Sequence, residues 1–220
     1  MTKPNEDQIW KAYNDFHYFC DGPRMQKLFA RHWLFLQTKD LPGHIVDAGV
    51  FKGTSTLLFA HMLRIYSPLA AKKVIGFDTF EGKFEAATDF EVERADAFMA
   101  YWDRDIEDVL REVIVTQELT DFCELVKGDI AETMPRYIAE NRGMRISLLH
   151  LDLDILEPTL ETLRACYDNM IPGGLIVLDQ YGIEGWGESE AVDTFFKERG
   201  LKPSIEAVPF ATTPTAMIRI

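Results

Sequence analysis

The run Ile146-Ser147-Leu148-Leu149-His150-Leu151-Asp152-Leu153-Asp154 is followed, after a segment of helical periodicity, by Gly173-Gly174-Leu175-Ile176-Val177-Leu178-Asp179-Gln180-Tyr181. Both apolar runs have the length of a buried strand, and both end in carboxylates: Asp152 and Asp154 on the first, Asp179 on the second. A strand, helix, strand unit of this kind builds an open parallel sheet, whose ligands bind just outside the carboxyl ends of the strands. Any one of these acids alone is explained as a helix or turn cap. Three at two strand ends, one pair spaced by a single residue, favour a metal or catalytic duty. His150 falls mid-strand and reads as a satisfied core histidine rather than a site residue. His17, His32 and the lysines stand at no predicted strand end, so they are disfavoured as bases.

Upstream, His44-Ile45-Val46-Asp47-Ala48-Gly49-Val50-Phe51-Lys52-Gly53-Thr54-Ser55-Thr56 predicts a short strand ending at Asp47, a turn carrying Gly49 and Gly53, and a helix starting on Thr54. Glycines let the backbone pass close to a ligand, and the amides and hydroxyls of a helix start hold a carboxylate or phosphate. The spacing Asp-x-Gly-x-x-x-Gly is neither the nicotinamide-binding Gly-x-Gly-x-x-Gly nor the P-loop, which counts against an oxidoreductase. A purely structural turn is the plainer alternative.

The next predicted strand, Lys73 to Asp78, ends in a carboxylate suited to accept hydrogen bonds from ribose hydroxyls, or else to cap a turn. A third, Cys123 to Asp129, repeats the pattern with Gly128-Asp129. Between them, residues 83–121 are acidic and aromatic, with helical periodicity from Val92 to Val115. They are an insertion over the site or a long crossover. Downstream of Asp179, a glycine-rich loop from Tyr181 to Glu188 leads to a helix over about 189–199, and Pro172-Gly173-Gly174 reads as the stop of the helix before it. Ser204–Val208 and Ala216–Ile220 read as a closing strand pair. Residues 8–39 predict two aromatic-rich helices broken at Asp21-Gly22-Pro23. These pack on the sheet edge or in a homo-oligomer interface, or form a lid over the site.

The alternation predicts an α/β fold: a mostly parallel sheet with helices on both faces and right-handed crossovers, one domain over residues 1–220 with an amino-terminal helical extension over 1–40. Bulk properties agree. The chain has 220 residues, 47% of them hydrophobic, with 23 Lys plus Arg against 36 Asp plus Glu and a net charge of -13. That charge repels nucleic acid and anionic membranes and leaves a small molecule as partner. Three widely spaced cysteines read as free thiols of a reducing compartment. With no apolar run of membrane-span length and no signal-peptide pattern, a cytoplasmic location is expected.

Five motifs occur in order: Asp47-x-Gly49-x-x-x-Gly53; Phe77-Asp78-x-Phe80-Glu81-Gly82; Lys127-Gly128-Asp129-x-x-x-Thr133-Met134-Pro135; Leu151-Asp152-x-Asp154; and Pro172-Gly173-Gly174-x-Ile176-x-x-Asp179-x-Tyr181-Gly182. Together they resemble the macrocin O-methyltransferase family over about residues 42–200. The resemblance implies a Rossmann-like class I methyltransferase with a seven-stranded sheet. It implies S-adenosyl-L-methionine and Mg²⁺ as cofactors, and methylation of a hydroxyl on a sugar, glycoside or phenolic small molecule in natural-product biosynthesis. By motif position, Asp47, Gly49 and Gly53 cradle the methionine portion with Thr54 near its carboxylate. Asp78 holds the ribose, and Gly128-Asp129 lies at the adenine amino group. Asp152 and Asp179 are implied metal ligands, and Asp154 the general base that takes the proton of a metal-chelated hydroxyl.

Gln180 stands where the family has a second Asp. An amide oxygen serves Mg²⁺ less well than a carboxylate, so Gln180 ligates directly, ligates through water, or does not ligate. Catechol-type methyltransferases, which the site also resembles, carry a neutral Asn there. The same departure keeps open a rival from another class, a cofactor-binding module without catalysis.

Overall fold

The computed structural model describes residues 3–69, 71–81 and 106–220. Its sheet contains β1 (His44–Ala48), β2 (Val74–Asp78), β3 (Cys123–Lys127), β4 (Ile146–Leu151), β5 (Met170–Leu178), β6 (Ile205–Ala207) and β7 (Ala216–Arg219), in the order β3-β2-β1-β4-β5-β7-β6. The first five are parallel, and β7 runs antiparallel to both β5 and β6. Every residue of β4 is buried, as are four of the five in β1 and in β2. A parallel sheet covered on both faces demands this, which is why its strands read as unbroken apolar runs.

Among the described residues the helices are α1 (Glu6–Phe19), α2 (Gly22–Thr38), α3 (Thr54–Tyr66), α4 (Ile106–Thr116), α5 (Ile130–Glu140), α6 (Leu156–Cys166) and α7 (Glu188–Glu198). Alternate strand residues divide the core between the two faces. Ile45, Leu148 and Val177 pack with Leu34 and Phe35 of α2, Phe59 and Leu63 of α3, and Leu110 of α4. Val46, Leu149 and Ile176 pack with Met134 of α5, Leu160 and Leu163 of α6, and Phe195 of α7. Because β1 pairs β2 on one side and β4 on the other, the winding reverses there. A crevice opens at the carboxyl ends of those strands.

Asp21 caps α2 by accepting from the Arg24 amide at 2.9 Å, and Pro23 lies in the first turn, so the break predicted at Asp21-Gly22-Pro23 separates two helices. α1 has no buried residue, whereas α2 buries Ala30, Arg31, Leu34, Phe35 and Thr38. The predicted periodicity over 92–115 lies outside the described residues up to 105; beyond that, Ile106, Leu110 and Ile114 of α4 pack into the core.

Pro172-Gly173-Gly174 does not stop a helix. α6 ends at Cys166, a 3₁₀ turn spans Tyr167–Asn169, and the three residues lie within β5. The pairing jumps from Ile146↔Met170 to Leu148↔Leu175, a bulge that accommodates a proline and a glycine at φ +84°. Among the described residues, no helix is long and apolar enough to cross a membrane.

Gly49 has φ +92°, and a Cβ on it would lie 2.0 Å from the Asp152 carbonyl oxygen. Gly49→Ala is therefore expected to destabilise the protein by about 3 kcal/mol, from left-handed strain plus overpacking against backbone. Gly22→Ala, in open space, serves as the control. Equal urea midpoints for the two variants would contradict this account of the turn.

Candidate functional site

The sheet's hydrogen bonding extends past the strand ends and sets the predicted site residues side by side. The amide of Gly49 donates to Phe77 O at 3.0 Å, Asp152 N to Ala48 O at 2.9 Å, Asp179 N to Leu151 O at 3.1 Å, and Gly128 N to Asp78 O at 2.9 Å. The glycine turn, Asp152, Asp179 and the Gly128-Asp129 ending thus line one edge of the sheet.

Asp47 is fully buried under the turn. Its Oδ2 accepts from Ser55 Oγ at 2.7 Å and from Thr56 Oγ1, and its Oδ1 lies 2.7 Å from His150 Nδ1. The carboxylate shapes the turn from below, while Thr54 at the helix start is exposed. Asp78 holds the turn from the side: Oδ2 accepts from Phe51 N and Oδ1 from Phe80 N, each at 2.8 Å. Burial raises its pKa, and those amides oppose the rise. Asp129 is exposed and caps α5, accepting from Ala131 N at 2.9 Å.

The acids at the ends of β4 and β5 meet cations from α2. Lys27 Nζ lies 3.2 Å from Asp152 Oδ2 and 2.7 Å from Asp179 Oδ2, and Arg31 Nη2 lies 3.1 Å from Asp152 Oδ2. These side chains are 25% (Lys27), 19% (Asp152), 0% (Asp179) and 6% (Arg31) exposed, so solvent screens the pairs little. Burial pushes the Asp152 carboxyl up, but Lys27, His150 and Arg31 together hold it well below the usual range. Asp179 moves the other way, to about 6, because burial and the neighbouring Asp152 charge outweigh Lys27. Gln180 donates Nε2–H towards Asp179 Oδ2 at 3.1 Å and Asp152 Oδ1 at 3.4 Å. Its amide N–H donates to Glu188 Oε1 at 2.9 Å. Asp154 follows at φ +68°, its carbonyl accepting from Gly187 N at 3.1 Å.

One group differs from its sequence reading, and a second makes a contact the sequence does not show. His150 is buried but only half satisfied: among the described residues Nε2 has no hydrogen-bond partner, and it lies 4.0 Å from Asp179 Oδ1. Lys27, a lysine at no strand end, nevertheless reaches Asp152 from a helix 125 positions away. Sequence reasoning also misses Arg31 and Glu188. For α2, the available signal is a Lys27, Arg31 pair at i, i+4 continuing the stripe of Leu34 and Phe35. Glu188 is fully buried at the start of α7. Burial first, then Asp179, raises its pKa well above that of an ordinary glutamate.

His150, Asp152 and Asp179 bring ligand atoms within 4.8 Å of one another. The set nevertheless does not suit a divalent ion. Lys27 already bridges the two carboxylates, Lys27 and Arg31 balance their charge, and Gln180 offers them N–H rather than oxygen, while Mg²⁺ requires oxygen lone pairs.

A seven-stranded sheet in this order, with β7 antiparallel and a glycine turn after β1 beside acid-ended strands, defines the class I methyltransferase fold. The chain belongs to the macrocin O-methyltransferase (TylF) family, whose model matches residues 21–213. The crystal structure of CalS11, calicheamicin methyltransferase, aligns with a TM-score of 0.83 at 28% identity, covering 98% of this chain and 86% of that one. The 8-demethyl-8-(2,3-dimethoxy-α-L-rhamnosyl)-tetracenomycin-C 4′-O-methyltransferase of Streptomyces olivaceus is 26% identical over 148 residues, 66% of this chain and 55% of that protein. Mycinamicin III 3″-O-methyltransferase of Micromonospora griseorubida is 24% identical over 172 residues, 75% of this chain and 65% of that protein. The chain thus matches over half, but under two thirds, of the length of these curated relatives.

Glu188 allows a test of the site's electrostatics. A carboxyl whose pKa is raised on folding keeps its proton when the unfolded chain has lost it, so stability falls as pH rises above the unfolded value near 4.5. Glu188→Gln removes that loss and retains an acceptor for the Gln180 amide. The variant's stability advantage should grow above pH 4.5, by up to ~1.4 kcal/mol per pH unit until the folded-state pKa is passed. Urea unfolding at several pH values measures it, and a gap independent of pH would show that Glu188 ionises normally.

Proposed function

We propose that the chain is an S-adenosylmethionine-dependent O-methyltransferase acting on a sugar hydroxyl, free or within a glycoside. The observation that carries this reading is the juxtaposition of the Gly49–Gly53 turn and Asp78 with the acids that end β4 and β5. Family membership supports it. A sugar is favoured by the names of the relatives, one methylating a rhamnosyl tetracenomycin and another described as a TDP-rhamnose 3′-O-methyltransferase.

In this reading Gly49 and Gly53 let the backbone approach the methionine portion, and Thr54 with the first amides of α3 receives its carboxylate. Asp47 contributes through the turn it fixes. Asp78 accepts from ribose hydroxyls with the lone pairs left over from Phe51 and Phe80, while Gly128 and Asp129 border the adenine. The bound sulfonium supplies an electrophilic methyl group: its C–S bond breaks, the electron pair stays on sulfur as S-adenosylhomocysteine, and a C–O bond forms. Asp154 takes the hydroxyl proton as the oxygen attacks, since a neutral hydroxyl is a poor nucleophile. The Mg²⁺ implied by the family resemblance has no part in this sequence of events, because Lys27 holds the carboxylates that would ligate it.

Methyl transfer from labelled S-adenosylmethionine to a panel of nucleotide sugars and glycosides tests the reading. Tight cofactor binding with no product on any acceptor would instead favour a binding module. Asp154→Asn is expected to lower kcat by roughly 10²–10⁴-fold while leaving the cofactor dissociation constant unchanged; retained turnover would remove Asp154 as the base. Asp78→Ala should weaken cofactor binding by roughly tenfold or more through the lost charged hydrogen bonds, and calorimetry showing an unaltered constant would overturn the ribose assignment.

A further inference from the structure

We infer that this chain transfers methyl groups without a divalent metal, the Lys27 ammonium of α2 serving as the resident cation between Asp152 and Asp179. The inference rests on the methyltransferase reading above and specifies the cation of that same site.

Position is the first argument. Lys27 Nζ contacts Asp152 Oδ2 and Asp179 Oδ2 at 3.2 and 2.7 Å. A Mg²⁺ bridging those two oxygens would need to lie about 2.1 Å from each, in the space the ammonium fills. Charge is the second. Two carboxylates face two cations, Lys27 and Arg31. A divalent ion added to that set would leave an excess of positive charge in a pocket whose Arg31 and Asp179 side chains are 6% and 0% exposed, where such an excess is costly. Ligand chemistry is the third. Gln180 turns Nε2–H towards both acids. Turning the amide over would set its oxygen 3.1 Å from Asp179 Oδ2, oxygen against oxygen. That conflict is relieved by a metal ion but not by an ammonium already donating to the acid.

Anchorage is the fourth. Arg31 follows Lys27 by one helical turn, and Ala30, Leu34 and Phe35 bury the same helix against the core, so α2 delivers both cations as part of its packing. A lysine ammonium has three donors. Among the described residues two meet the carboxylates, which leaves the third for an acceptor oxygen, whose negative charge grows as Asp154 removes its proton. Lys27 thereby supplies the electrostatic part of a metal's role without chelating two oxygens.

The metal-binding arm of the test needs no acceptor, and the turnover arm uses an acceptor found with the panel above. Chelator-treated protein is titrated with Mn²⁺, free ion being read by electron paramagnetic resonance, and methyl transfer is compared in EDTA and in Mg²⁺. The wild type is expected to bind no Mn²⁺ below millimolar concentrations and to turn over equally in both media. Lys27→Met should lose roughly 10²–10³-fold in kcat with cofactor affinity retained, and Lys27→Arg should recover part of the loss. Lys27→Ala combined with Gln180→Asp makes a three-carboxylate set and should gain Mn²⁺ binding by roughly ten- to a hundredfold, with turnover now dependent on Mg²⁺. Retained cofactor binding reports that this double variant is folded. Micromolar Mn²⁺ binding by the wild type, or EDTA inactivation reversed by Mg²⁺, would overturn the inference. Absence of methyl transfer under every condition would instead defeat the methyltransferase reading, and the Mn²⁺ titration would still decide the metal question.

Discussion

The buried carboxylate of Asp47 is the constraint around which the crevice is built. A carboxylate with no solvent access in the middle of a parallel sheet must find its hydrogen-bond donors inside the protein, because an unpaired one costs on the order of several kcal/mol on transfer from water. Here the donors are Ser55 and Thr56 from the first turn of α3 and His150 from β4. Satisfying Asp47 therefore fixes three things together: the path of the turn through Gly49 and Gly53, the direction of the α3 amino terminus, and the seat of β4 beside β1. Gly49 is compelled by the same geometry, since the turn passes so close to Asp152 that a side chain would meet its carbonyl oxygen.

With the turn fixed, the parallel register sets Asp152 and Asp179 at neighbouring strand ends, and Asp154 and Glu188 follow close by. Such a gathering of acids is self-repelling, as the raised pKa of Asp179 and of Glu188 reflects. Compensation comes from α2 rather than from the sheet. The stripe that docks α2 through Leu34 and Phe35 continues towards its amino end as Arg31 and Lys27. One packing event thus covers that face of the sheet and neutralises the acids at its edge. α1, with no buried residue, has no share in this.

The parts legible in the sequence are those written in local pattern. Parallel strands buried on both faces are apolar throughout, each predicted parallel strand ends beside an acid, and a left-handed turn demands glycine, so the fold and the row of acids can be read from the chain alone. Lys27, Arg31 and Glu188 cannot, because what matters about them is created by packing across 125, 121 and 8 positions of chain. Lys27 on its own is an ordinary helical lysine, and Glu188 reads as a helix-start acid. His150 is half legible: its burial follows from its place mid-strand, whereas its bond to Asp47 and its open Nε2 depend on register. Pro172-Gly173-Gly174 misleads because the same residues that end helices also make bulges, and only the pairing with β4 distinguishes the two.

Gln180 gains its meaning from this contrast between local and assembled chemistry. Judged against a metal-binding pattern it is a weakened ligand, one carboxylate short. Judged against its neighbours it is matched: Asp152 and Asp179 already meet an ammonium and a guanidinium, and an amide that donates N–H stabilises the pair where a further acid would repel it. An aspartate at position 180 would add an uncompensated charge beside Asp179, whose pKa is already raised by Asp152. The N–H of Gln180 and the ammonium of Lys27 both meet Asp152 and Asp179 and are thus two parts of one electrostatic arrangement.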